Sequence, residues 1–229
     1  MYWFYDPTFY IFVVPALIVA LIAQINVKST YSKYSRLANS AGLTGAEAAR
    51  RILDANGLTN VRIEHISGQL SDHFDPRSNV VRLSDGVFAS NSVAAIGVAA
   101  HEVGHAIQYS QSYFPMRIRS AIIPITNIGS NLSFPLVVLG LIFSYDPLVT
   151  VGIFLYLAVV LFQLVTLPVE FNASARALRT IEDNGWLFGE EQKGAKRVLT
   201  AAALTYVAAL FTALMNLFRL IAIANRRRD

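Results

Sequence analysis

The chain has 229 residues, of which 54% are hydrophobic and only 15% charged, with a formal charge of +4. A soluble domain usually carries about a quarter charged residues, and no basic stripe is interleaved with aromatics here. An ordinary water-soluble domain and a nucleic-acid-binding protein are therefore both excluded. Cysteine is absent, which rules out disulfides and thiolate ligands and leaves His, Asp, Glu and water for any metal.

The first element is apolar. Residues 8–27 are long enough to cross a hydrocarbon core as a helix. Tyr2, Trp3 and Tyr5 precede this stretch as an aromatic belt, and Lys28 follows as an anchor. Neither a basic start nor a small-residue cleavage site accompanies it, so a retained span is expected rather than a signal peptide. Residues 28–121 form a polar, catalytic-type region. Thr44-Gly45-Ala46-Glu47 is a capping box, followed by a helical face of Ala48, Ala49, Ile52 and Leu53, with Gly57 placed to end the helix. Val61-Arg62-Ile63-Glu64 and Val80-Val81-Arg82-Leu83 alternate as short strands, separated by a turn at Asp75 to Asn79. Asp72-His73-Phe74 has the character of an edge strand. A helix over about 91–110, capped by Asn91 or Ser92, then carries His101-Glu102-Val103-Gly104-His105.

Three further apolar stretches follow. Residues 122–143 and 147–169 are joined by a short turn, and 199–223 is rich in Ala and Leu. The first of the three is the most polar, with Thr126, Asn127, Ser130, Asn131 and Ser133 in its early half. Between the last two, residues 170–198 form a polar segment, with Pro168 suited to a kink or a helix start. Four spans, with three as the alternative if 122–143 does not cross fully, put 28–121 and 170–198 on one side. That side carries Lys28, Lys33, Arg36, Arg117, Arg119, Arg176, Arg179, Lys193, Lys196 and Arg197, so the positive-inside rule predicts the cytoplasm. Arg226, Arg227 and Arg228 oppose this bias as a membrane-end cluster. The expected fold is a predominantly α membrane protein with a small zincin-like α+β domain containing a short sheet.

The chemistry concentrates at His101 to His105. Two imidazoles four residues apart on a helix share a face and can bind one ion, and Glu102 beside them can accept a proton from water. The bland alternative, a buried helix with hydrogen-bonded histidines, leaves Glu102 as a costly buried charge. Catalytic zinc needs a third protein ligand. Glu170, an acid at the end of an apolar run on the same side of the membrane, is the leading candidate, and His73 is its rival. Candidate donors to a developing oxyanion are His73, Arg176 and Arg179. For the two arginines anchoring is the simpler role, and for His73 a loop hydrogen bond to Asp75 is an equal alternative.

Three stretches together resemble the bacterial YugP-type zinc-dependent membrane peptidases, distant relatives of the HtpX membrane proteases. They are His101 to His105, Leu70-Ser71-Asp72-His73-Phe74-Asp75-Pro76-Arg77 and Leu167-Pro168-Val169-Glu170-Phe171-Asn172-Ala173-Ser174. Tyr5-Asp6-Pro7 and Leu43 to Glu47 extend the likeness over most of the chain. The resemblance implies one Zn2+ per chain held by His101, His105 and Glu170, with Glu102 as general base. It also implies a multi-pass protein of the bacterial plasma membrane acting on protein or peptide substrates, membrane proteins among them, from a cytoplasmic proteolytic region. One position departs from the wider HtpX-like pattern: Ser174 stands where an Asp orients a metal-bound histidine. Either the Ser174 hydroxyl takes that role or another acid, Asp72 or Asp75, replaces it. A rival of a different class is a non-catalytic membrane scaffold with a closed structural zinc site, for which His73 reaching the metal would be the mark.

Overall fold

A computed structural model describes residues 7–225. The aromatic belt expected at Tyr2, Trp3 and Tyr5 and the basic cluster at Arg226 to Arg228 lie outside those residues. After a π-helical turn at Phe9–Val13 the elements in order are α1 (Val14–Tyr34), α2 (Gly45–Ala55), β1 (Arg62–Ile66), β2 (His73–Asp75) and β3 (Val80–Ser84). There follow α3 (Val93–Ser110), α4 (Phe114–Ile142), α5 (Asp146–Asp183) and α6 (Glu190–Asn225). The chain is thus predominantly helical with one small mixed sheet, and four of its helices are long and apolar enough to cross a membrane.

Two compact units share the long helices. The first comprises residues 7–24, Arg117–Leu167 and 205–225. On α1, Leu17, Ile18, Leu21 and Ile22 are each more than half exposed. A contiguous apolar face of this kind suits lipid, not water. In this unit α4 and α5 approach closely. A Cβ on Gly129 would sit 2.3 Å from the carbonyl oxygen of Leu155, and one on Gly152 would sit 2.8 Å from that of Ser133. Small residues at membrane-helix interfaces permit this contact. Part of the polar early half of α4 satisfies itself, while the buried Ser133 hydroxyl has no hydrogen-bond partner among the described residues. Thr126 Oγ1 donates to the Ile122 carbonyl, while Ser130 Oγ and Asn131 Nδ2 donate to that of Asn127.

The second unit comprises Ile25–Met116 and Pro168–Leu204. Its sheet order is β1-β3-β2, with β1 parallel and β2 antiparallel to β3, leaving β2 as an edge. Helix α2 starts at the reciprocal capping box of Thr44 and Glu47. It ends at Gly57, whose φ of +71° is the left-handed cap, and the Leu58 N–H returns to the Leu53 carbonyl. Helix α3 starts where Ser92 Oγ accepts from the Ala95 N–H. Its buried face, Val93 to Ile107, packs with Ile52 and Leu53 of α2, Val81 and Leu83 of β3, Val169 and Ala177 of α5 and Val198 of α6.

All four long helices run past the ends expected from sequence, α1 reaching Tyr34 and α6 beginning at Glu190. Helix α4 begins at Phe114 rather than near 122, and α5 is continuous from Asp146 to Asp183 with Pro168 inside it. Proline at 168 removes one backbone donor, a local cost of about 3 kcal/mol. Long helical stretches flank it on both sides, and Val169, Ala173 and Ala177 are buried just beyond it. Propagation and packing outweigh the single lost bond.

Candidate metal centre

The centre is built by the crossing of α3 and α5 inside the second unit. Gly104 permits it: a Cβ there would lie 2.9 Å from the carbonyl oxygen and 3.3 Å from the Cα of Ala173. At this approach Glu170, one turn before Ala173, reaches the two imidazoles. Its Oε2 lies 3.3 Å from His101 Nε2 and 3.5 Å from His105 Nε2. One donor atom from each of the three residues falls within 4.8 Å of the others. The carboxylate is 2% exposed, and burial of an acid without compensation is costly.

The donor set fits zinc. With zinc–ligand lengths of about 2.0–2.2 Å, the edge of a tetrahedral site is about 3.4 Å. The two His–Glu separations match that edge, and they exceed the usual N–H···O contact of about 2.9 Å. Two imidazole nitrogens and one carboxylate oxygen are also the ligand types of catalytic zinc sites with a fourth, open position.

The other ring nitrogens each have a hydrogen-bond partner. His101 Nδ1 lies within hydrogen-bond reach of Ser174 Oγ, at 3.1 Å. His105 Nδ1 donates to Gln108 Oε1 at 3.0 Å. The fully buried Gln108 is oriented in turn, because its Nε2 donates at 2.9 Å to both the Val169 carbonyl and Asn172 Oδ1. Asn172 Oδ1 also accepts from Arg176 Nε at 2.7 Å, and Arg176 donates to Gln111 Oε1 at 2.8 Å. A chain of polar contacts therefore runs from Arg176 through Asn172 and Gln108 to His105, tying α5 to α3. Burial presses the His105 imidazolium down, but the neighbouring carboxylates of Glu170 and Glu102 outweigh it and hold its proton affinity above the ordinary histidine value.

Sequence reasoning missed Gln108. Its signal was a lone amide in an apolar helix, three residues after His105 and hence on the same face. Gln108→Met keeps the volume and removes the acceptor, so zinc affinity is expected to fall by about 10- to 100-fold. Competition against a chromophoric chelator measures it, and wild-type affinity in that variant would deny Gln108 an orienting role.

Glu102 is buried, and its Oε2 accepts from the Phe74 N–H of β2 at 3.1 Å. Phe74 thus turns its amide off the free edge of the sheet toward the general-base candidate. Its ring packs near Tyr109 of α3, with centroids 5.9 Å apart.

The structure does not bring the remaining candidates to the donor atoms. His73 alternates to the opposite face from the buried Phe74, with Nδ1 donating to the Ser71 carbonyl at 2.8 Å and Nε2 3.5 Å from Arg82. It bonds its own loop instead of Asp75. Asp72 is spent on the backbone and hydroxyl of Ser84, at 2.7 and 2.8 Å. Asp75 closes the β2–β3 hairpin, where the Arg82 guanidinium, the Ser78 hydroxyl and the Arg77 N–H hold its carboxyl well below the usual range. Neither acid is placed to orient a metal-bound histidine. Arg179 is exposed, and Arg176 serves the Asn172 and Gln111 contacts.

Comparison with known proteins agrees with this chemistry. Residues 9–225 match the family described as "Putative neutral zinc metallopeptidase". The "Putative membrane protease YugP" of Bacillus subtilis (strain 168) is 47% identical over 216 residues, covering 94% of this chain and 96% of that protein. No solved structure matches the chain. A match that spans both the apolar helices and the His–His–Glu cluster leaves one conclusion: the chain belongs to this zinc metallopeptidase family.

Proposed function

We propose that the protein is a multi-pass zinc endopeptidase of the bacterial plasma membrane, hydrolysing peptide bonds in protein or peptide substrates, membrane proteins among them. The observation that carries the proposal is the meeting of His101, His105 and Glu170 at tetrahedral-edge distances, with Glu102 buried beside them. One zinc ion per chain at these residues supplies the Lewis acidity that polarises a peptide carbonyl and makes water acidic near neutral pH. Glu102 takes the proton of the attacking water and returns it to the leaving amine. The Phe74 N–H holds one oxygen of Glu102, and the other is left for that proton traffic. An extended substrate laid along the free edge of β2 pairs with main-chain groups other than the Phe74 N–H, which presents the scissile bond beside Glu102 without demanding one side chain.

The basic residues of 28–121 and 170–198 support a cytoplasmic position for the centre. Against a structural-zinc scaffold stands the donor count. A closed site needs four protein ligands, and among the described residues three converge.

Purified protein stripped by a chelator is expected to lose cleavage of an unbiased peptide mixture and to regain it on adding one equivalent of zinc. Cleavage that persists with no bound metal would refute the proposal.

A further inference from the structure

Within the second unit, a cleft of about 470 Å³ lies between α1 and α6. Asn26 and Thr30 line it from α1, and Lys193, Lys196, Arg197, Thr200, Ala201 and Leu204 line it from α6. Three cations and no acid are in its wall. Its size is within the roughly 300–1,000 Å³ typical of small-molecule sites.

The lining is graded along the helices. Along α6 it passes from Lys193, Lys196 and Arg197 to Ala201 and Leu204, where the apolar stretch of that helix begins. Along α1 it occupies Asn26 and Thr30, where the apolar stretch ends. A pocket that is cationic at one end and apolar at the other, at the ends of two spans, is placed at headgroup depth.

The cations differ in their engagements. Lys193 Nζ meets Glu190 at 2.7 Å. Arg197 donates to the Tyr34 hydroxyl at 3.0 Å, which sets the position of its guanidinium while leaving its charge uncompensated by that contact. Lys196 makes no ion pair or hydrogen bond among the described residues. With Glu190 counted, the cleft still presents an excess of two positive charges.

We infer that this cleft binds the headgroup of an anionic glycerophospholipid, with Lys196 and Arg197 meeting the phosphate and Ala201 and Leu204 lying against the start of an acyl chain. The inference takes α1 and α6 to cross the membrane and is independent of the peptidase chemistry, since its readout is lipid binding. Anionic lipid held there ties the ends of α1 and α6 together and couples the protein to the charge of its leaflet. Lysines that merely snorkel to the interface would show no saturable stoichiometry.

Native mass spectrometry of the full chain in detergent, titrated with phosphatidylglycerol or phosphatidylcholine, tests it. One phosphatidylglycerol is expected to bind at least about tenfold tighter than phosphatidylcholine. The Lys196→Ala, Arg197→Gln double variant should lose that margin, and Lys196→Arg should keep it. Removing equal charge elsewhere, by Lys28→Ala with Arg36→Ala, should change the affinity less than twofold. Equal binding of the two lipids would overturn the inference. So would an equal loss in the Lys28 and Arg36 variant, or full displacement of the lipid by the same concentration of inorganic phosphate.

Discussion

Replacing Glu102 by Gln is expected to abolish peptide hydrolysis while zinc content stays at the wild-type level. The side chain is no part of the His–His–Glu donor set; its Oε2 accepts from the Phe74 N–H at 3.1 Å. A glutamine oxygen accepts that same bond, and the amide fills the same buried volume, so the edge strand and α3 stay together. What disappears is a group able to take a proton. General acid–base catalysis contributes about 10²- to 10⁴-fold, and kcat should fall by that factor with little change in KM. Single-turnover cleavage together with metal analysis separates the two quantities. A variant that retains full activity would remove Glu102 from the chemistry. One that has lost its zinc would instead mark the carboxylate as part of metal binding.

The second large effect is on metal retention. Glu170→Ala removes the one carboxylate that, among the described residues, joins both imidazoles in a donor cluster. Loss of an outer-shell partner typically costs about 10- to 100-fold in affinity, and loss of a ligand that supplies the site's negative charge should exceed that. Zinc competition titration is therefore expected to show a drop beyond about a hundredfold, with activity lost in parallel. Glu170→Gln keeps the shape without the charge and serves as the control for packing, because the residue is buried beside the α3–α5 crossing. Zinc affinity within twofold of wild type in the alanine variant would show that His101 and His105 hold the ion without it.

The two effects differ in kind although the residues are neighbours. Glu170 comes from a helix that enters the second unit at Pro168, and its position depends on how closely α5 approaches α3. Gly104 and Ala173 set that approach, so the donor distances report helix packing as much as ligand chemistry. Glu102 is on the same helix as the histidines, and the Phe74 N–H of β2 holds one of its oxygens.

Much of this was legible locally. Helical periodicity puts His101 and His105 on one face, and the capping box at Thr44 and Glu47, the αL residue Gly57 and the cap at Ser92 each depend on residues within a few positions. Apolar length marked the four candidate spans for the same reason. The continuity of α5 through Pro168 was not legible, because the local preference of proline opposes it and packing of Val169, Ala173 and Ala177 overrides that preference.

By itself, the sequence determined the metal chemistry and the solvent of each segment: which residue types can bind, which stretches need lipid, and where helices start. Only the tertiary structure decided the partners. Gln108 meets Val169 and Asn172, Ser174 meets His101, and His73 faces away from Phe74. Those choices follow from the α3–α5 crossing and the pleat of an edge strand. Contacts between residues 60 or more positions apart are set by packing of whole elements, which short-range spacing does not encode.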